Sequence, residues 1–349
     1  MNRIAEDTRV LGRAPGGEPI VAAESGGDES PAIVLTAGSH ATEHAGVIAA
    51  VELLDSLETE HELYVIPTRD PVGVNGYAAA LEMALGERVE FDTYDELADI
   101  LRSESDVLVS EGDVVIGLVG EYVFATAQPS EDSASTESLK RRLSELEEES
   151  EEWRQLRGRR IFLVPGQPEN EGTGDFDRLY TLVVSPDGEK LHLNRFIGSS
   201  WAPAESRCTR ELLDSVEPGL FVDIHEYGGD DYWVSVRPKL SEADRQWEER
   251  IGREMTSSIS EAGGRLLPLR ELLGEVPDDD HHFTALNDGL YDLDYVARGE
   301  GFNATDYAAE HHGLAFTHET GMENPLEERV STAVSSVQRA VREFEQRFD

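Results

Sequence analysis

The feature that most constrains this chain is the run Ala32 to Ala37 (AIVLTA), an apolar and β-branched stretch set between Gly26-Gly27 and Gly38-Ser39. Such a run, bounded by turn residues, predicts a buried strand. Directly after it, Gly46 to Leu57 places Val47, Ala50, Val51 and Leu54 on one helical face, and Leu63 to Pro67 predicts a second strand. Strand, helix and strand in so short a span form a βαβ unit, which implies a largely parallel sheet covered by helices.

The same pattern returns after residue 205. A helix is expected near Thr209 to Ser215, then strands at Leu220 to Ile224 and Tyr232 to Val236, a long helix from Glu242 to Ala262, a strand at Leu314 to Thr317 and a closing helix after Pro325. The predicted fold class is α/β, a three-layer α/β/α arrangement around a twisted, mixed but mostly parallel sheet. Between about residues 80 and 165 the pattern changes to a β-hairpin at Asp113 to Ala125, a polar stretch Gln128 to Ser138 and an acidic helix Leu139 to Leu156. We read 1–349 as a single domain with an insertion at about 80–165. Leu139, Leu143, Leu146, Trp153 and Leu156 make an apolar stripe able to pair helices in a dimer, or to pack on the chain's own core. No repeat period emerges.

Charge narrows the partners. Acids outnumber bases 72 to 30, for a net charge of -42, a field that repels nucleic acid and anionic membranes. Only Lys140, Lys190 and Lys239 are lysines among the 30 bases, and acids spread over every segment fit a surface adapted to high salt. Cys208 is the only cysteine, so no intramolecular disulfide can form. With no recognisable export signal, and no run near the roughly 18 apolar residues that span a bilayer, a cytoplasmic location is expected.

Four short segments carry the chemistry: His40-Ala41-Thr42-Glu43, His192-Leu193-Asn194-Arg195, Asp223-Ile224-His225 and Thr317-His318-Glu319. Catalytic zinc takes three protein ligands of the His/Glu/Asp type and keeps one position open. His40 and Glu43, three residues apart beyond a strand, can point at one ion, because open α/β sheets build sites beyond the carboxyl ends of their strands. His225, after the apolar run Phe221 to Ile224, supplies a third ligand at the same sheet edge. Asp223 shares the side-chain parity of His225 and can orient it. His44 offers a rival, since His40 to His44 also spells HxxEH, a motif that belongs inside a long helix. The clusters Asp278 to His282 and His311-His312 read as solvated loops rather than a second metal site.

In this order the segments resemble the zinc carboxypeptidases, in the superfamily that also holds aspartoacylase and succinylglutamate desuccinylase type deacylases. The resemblance covers about residues 30 to 80 and 175 to 349. It implies one zinc ion on His40, Glu43 and His225, Glu319 as the general base for water, and Asn194 and Arg195 on a substrate carboxylate. It also suggests Arg178 as a catalytic, oxyanion-stabilising arginine and Tyr295 as a substrate-binding tyrosine. The implied reaction is hydrolysis of an amide bond next to a free carboxylate, releasing a C-terminal amino acid from a peptide. Deacylation of N-acyl amino acids by the same machinery, or a peptide-binding protein without turnover, are the alternatives. His192 stands where the family has an aspartate.

Overall fold

Residues 8–129, 135–146, 150–165, 174–238, 241–268, 282–298 and 301–348 are described by the structure, a computed structural model. The apolar run at the head of the βαβ unit forms a strand of nine residues, and it lies near the middle of a nine-stranded sheet. In chain order the strands of this sheet are β1 (Thr8–Arg13), β2 (Pro19–Gly26), β3 (Glu29–Ala37) and β4 (His61–Ile66), then β11 (Leu220–Tyr227), β12 (Trp233–Val236), β13 (Phe283–Asn287), β14 (Leu290–Leu293) and β15 (Leu314–Gly321). Their spatial order is β1-β2-β4-β3-β11-β15-β12-β14-β13.

The sheet is mixed, which corrects the expectation of a mostly parallel one. β4, β3, β11 and β15 are parallel neighbours, and β12 is parallel to β14. The pairs β1–β2, β2–β4, β12–β15 and β13–β14 are antiparallel. The cause is connection length. A parallel return needs a crossover of about a dozen residues or more, whereas the links from β1 to β2, β11 to β12 and β13 to β14 are too short for one.

Helices pack on both faces. Helices α1 (His44–Ser56), α8 (Glu242–Glu261) and α11 (Leu326–Glu345) cover one face, where Leu35, Val222, Ile224, Val234 and Phe316 meet Ala49, Leu53, Met255 and Val337. On the other face α7 (Ala204–Val216) and α10 (Ala304–His311) cover Val34, Phe221 and Ala315 through Leu212, Leu213 and Ala308. Among the described residues no helix is long and apolar enough to cross a membrane.

A second sheet, of six strands in the order β10-β9-β8-β7-β6-β5, is built from β5 (Asp106–Glu111), β6 (Val114–Val119), β7 (Tyr122–Thr126), β8 (Arg160–Leu163), β9 (Tyr180–Val184) and β10 (Lys190–His192). Helices α2 (Pro71–Asn75), α3 (Tyr77–Leu85) and α4 (Tyr94–Glu104) precede it. The unit expected to end near residue 165 therefore runs on through β9 and β10. The expected single helix at Leu139 to Leu156 is two helices, α5 (Ser135–Glu145) and α6 (Glu151–Leu156), because Ser150 starts the second by accepting the Trp153 N–H at 3.1 Å. Leu139, Leu143, Trp153 and Leu156 are buried against Ile116, Val123, Ile161 and Leu182. The stripe offered to a second subunit is thus consumed inside the chain, where burying it removes more apolar area from water than leaving it exposed.

Candidate metal centre

Strand register selects the side chains of the site. Asp223 and His225 of β11 pair with Thr317 and Glu319 of β15, which in turn pair with Ser235 and Trp233 of β12. Directly opposed residues in neighbouring strands point to the same face, so these six belong to one surface, with Thr36 of β3 opposite Asp223. Both strands run further than the sequence suggested, and His225 and Glu319 lie within them rather than at their ends.

His40 and Glu43 reach that surface from the loop between β3 and α1. Gly38 turns the chain out of β3 at φ +59°, where an added Cβ would press on Thr68 and Val47. The Glu43 N–H then donates to the His40 carbonyl at 3.2 Å, and α1 starts only at His44. His40-x-x-Glu43 therefore precedes the helix, and the HxxEH reading, which needs both histidines on one helical face, does not fit.

The three proposed ligands come together: His40, Glu43 and His225 each offer a ligand atom, all within 4.8 Å of one another. Glu43 is the hub, with Oε1 2.5 Å from His40 Nδ1 and Oε2 2.9 Å from His225 Nδ1. The far side of each ring is held. His225 Nε2 lies 2.9 Å from Asp223 Oδ2. Asp223 itself accepts from Thr36 Oγ1 at 2.7 Å and from Arg69 at 2.6 Å. A second Arg69 nitrogen donates to Asn194 Oδ1 at 2.7 Å. His40 Nε2 lies 2.7 Å from His192 Nδ1, and Arg195 Nε donates to His192 Nε2 at 2.9 Å. An arginine only donates, so His192 Nε2 accepts and the His192 proton sits on Nδ1, directed at His40 Nε2. His192 thus occupies the place expected of an orienting carboxylate.

Charge follows from this packing. Burial would raise the Glu43 carboxyl, but His40 and His225 bring it down to about 2. Burial would lower His225, yet Asp223 and Glu43 carry it well above its usual range, so the ring is an imidazolium between two carboxylates. Burial likewise would raise Asp223, but Arg69 and His225 hold it well below the usual carboxylate range. His40 and His192 are both lowered, chiefly by burial, and stay neutral. Protons on the Nδ1 atoms facing Glu43 occupy the place that a cation would take, and such protons leave when a metal binds. Two imidazoles and a carboxylate match the donor set of a catalytic zinc site. His225 has its far nitrogen on the Asp223 carboxylate, whereas His40 would ligate through Nδ1 with its proton moved to Nε2 and His192 Nδ1 accepting it instead of donating.

Glu319 stands on the strand next to His225, with its carboxyl pushed up to about 8 by burial and by Glu43 and Asp223. Its Oε2 has no hydrogen-bond partner among the described residues. A cleft of about 280 Å³ opens here, lined among others by His40, His192, Asn194, Arg195, His225 and Glu319 together with Trp233, Arg237, Phe283 and Arg298. Asn194 and Arg195 arrive on the turn Leu193–Arg195 that directly follows β10, so the second sheet delivers them.

The remaining sequence candidates lie elsewhere. Arg178 donates to the backbone carbonyls of Val74 and Asp177, both at 2.8 Å, and is not part of the cleft lining. Tyr295 donates to Glu310 at 3.0 Å and borders a neighbouring groove with the other side of Arg195. His44 starts α1 outside the ligand group. His312 faces Asp214 at 3.3 Å, far along the chain from the ligands, while Asp278 to His281 fall outside the described residues. Sequence reasoning missed Arg69. It follows β4 as His40 follows β3, so the rule that sites gather beyond strand ends could have found it.

No family model matches the chain, and no curated protein does. Solved structures similar to it are metallocarboxypeptidases and proteins with metallopeptidase names. The metallo-carboxypeptidase from Pseudomonas aeruginosa, in complex with (2-guanidinoethylmercapto)succinic acid, is 12% identical with a TM-score of 0.49, over 97% of this chain and 66% of that one. Carboxypeptidase A from Helicoverpa armigera is 12% identical with a TM-score of 0.46, over 97% and 68%. A protein from Shewanella amazonensis SB2B with a provisional metallopeptidase name is 14% identical with a TM-score of 0.48, over 97% and 87%.

Proposed function

We propose that this chain is a zinc-dependent amidohydrolase that releases a C-terminal residue from a peptide. The observation that carries the reading is the convergence of His40, Glu43 and His225 in one cleft with Glu319 and Arg195. His40 Nδ1, Glu43 and His225 Nδ1 would hold the ion. Zinc held there would supply Lewis acidity towards the scissile carbonyl and acidify water. Glu319, on the strand beside His225, takes the proton from the attacking water in its ionised form, which a cation held by the neighbouring ligands would favour, and passes it to the departing amine. Arg195 and Asn194 bind the substrate carboxylate by charge-assisted and neutral hydrogen bonds and so fix which amide meets Glu319. Arg69 keeps Asp223 ionised and Asn194 in place, which holds the ring of His225 in one orientation.

The size of the cleft, about 280 Å³, lies at the small end of ligand pockets and favours a compact substrate, so deacylation of an N-acyl amino acid is the second reading. Purified protein loaded with zinc, offered blocked dipeptides and N-acyl amino acids, separates the two. Release of the C-terminal residue from the dipeptides supports the peptidase, and turnover of N-acyl amino acids alone rejects it. Absence of zinc binding together with absence of hydrolysis rejects both.

A further inference from the structure

The lining of the cleft also contains two buried arginines that the proposed reaction does not use. The side chains of Arg237 and Arg298 are 1% and 4% exposed, and both line the cleft. They share one carboxylate: Arg237 Nε donates to Asp306 Oδ1 and Arg298 Nη2 to Asp306 Oδ2, each at 2.6 Å. Arg237 is further held by Ser235 Oγ at 3.0 Å and Thr317 Oγ1 at 3.2 Å, with Glu248 and Asp292 also acting on its charge. Asp306 is fixed in turn by the Asn303 N–H at 2.9 Å, in a reciprocal cap at the start of α10. This is a rigid base beneath Arg298.

Arg298 differs from Arg237 in being incompletely used. Its Nη2 reaches Asp306 and the Gly301 carbonyl, but its Nε and Nη1, both buried, meet no acceptor among the described residues. Buried donors without acceptors are costly, and a guanidinium is satisfied best by an anion. Trp233, Phe283 and Leu293 line the same cleft with apolar surface, suited to the methylene groups that would carry such an anion.

Resting on the reading that Arg195 takes the carboxylate beside the scissile bond, we propose that Arg298, backed by Asp306 and Arg237, forms a second anion subsite selecting a leaving residue with an acidic side chain. The substrate class is then a peptide, or an N-acyl amino acid, ending in glutamate or aspartate. A neutral side chain leaves the Arg298 donors unmet, and sites built to hydrogen-bond a substrate group discriminate strongly against analogues that lack it.

The test compares L-glutamate with its neutral isostere L-glutamine in calorimetric binding to the zinc-loaded protein, alongside hydrolysis of blocked dipeptides ending in Glu, Gln or Leu. Glutamate should bind about 10- to 100-fold more tightly than glutamine, the range of one charge-assisted hydrogen bond. In Arg298→Met that ratio should collapse towards one, and in Arg298→Lys it should be partly kept. Equal binding of glutamate and glutamine by the unaltered protein overturns the subsite whether or not the variants fold. Preference for glutamate without hydrolysis of any dipeptide keeps the subsite and rejects the peptidase. Equal hydrolysis of all three dipeptides keeps the hydrolase and rejects the subsite.

Discussion

Around the carboxyl ends of β3, β11 and β15 and the amino end of β12, the two faces of one sheet are made from alternate residues of the same strands, yet they have opposite characters. One face presents Thr36, Asp223, His225, Ser235, Thr317 and Glu319, the first five tied by hydrogen bonds and ion pairs. The other presents Leu35, Val222, Ile224, Val234 and Phe316 to α1, α8 and α11. The polar face is also divided along its length, since Val34, Phe221 and Ala315 nearer the strand starts are packed under α7 and α10. Chemistry and cohesion are thus separated by side-chain parity, a single residue apart, and the separation can be probed from either side.

The largest expected effect is on the polar face. Glu319→Gln should reduce amide hydrolysis by about 100- to 10,000-fold, the range for loss of a general base, while zinc content and thermal midpoint are kept. Retained activity in a zinc-loaded Glu319→Gln protein would remove the base from this face. The matching change on the apolar face is Phe316→Ala, which empties a fully buried position. It should cost about 3 to 5 kcal/mol in urea unfolding and leave zinc affinity, read by chelator competition, unaltered. A parallel loss of zinc affinity would show that the faces are not independent.

Asp223→Asn breaks the comparison deliberately, because Asp223 both orients His225 and neutralises Arg69. Zinc affinity should fall about 10- to 100-fold, and stability should fall with it, since Arg69 is left buried without its anion. Loss of only one of the two would assign Asp223 to one role.

The smallest effect concerns a polar side chain on the apolar face that, unlike Glu226 and Thr320 on the same face, has no partner among the described residues. His318 is fully buried, neither ring nitrogen has a partner among the described residues, and burial brings it down to about 4. A histidine lowered in the folded state binds fewer protons there than in the unfolded chain. Its stability contribution is therefore present above about pH 6.5 and lost as pH falls towards 4. At pH 5 that loss is about 2 kcal/mol. His318→Leu should shrink the difference in unfolding free energy between pH 7 and pH 5 by about that amount, and an unchanged difference would reject the assignment.

How far the sequence was legible depended on whether a signal was local. His40, Glu43 and His225 were readable because each follows an apolar run whose end is visible, and Asp223 was readable from parity alone. Arg69 was not, since its importance lies in reaching Asn194 and Asp223, 125 and 154 residues away. Arg178 was suggested by the family resemblance, which carries no information about the Val74 carbonyl that Arg178 meets in this chain. The extent of the second sheet was missed for a similar reason: Lys190–His192 is three half-buried residues with no pattern of their own, and only pairing with β9 makes them a strand.

The contact between Glu43 and His225 joins residues 182 apart in the chain. During synthesis, a chain whose first half has emerged carries Glu43 and His40 without the partner that completes the set. Closing so long a loop costs entropy before the contact returns anything. The group His40, Glu43 and His225 is thereby complete only once β11, a central strand of the large sheet, has paired with β3.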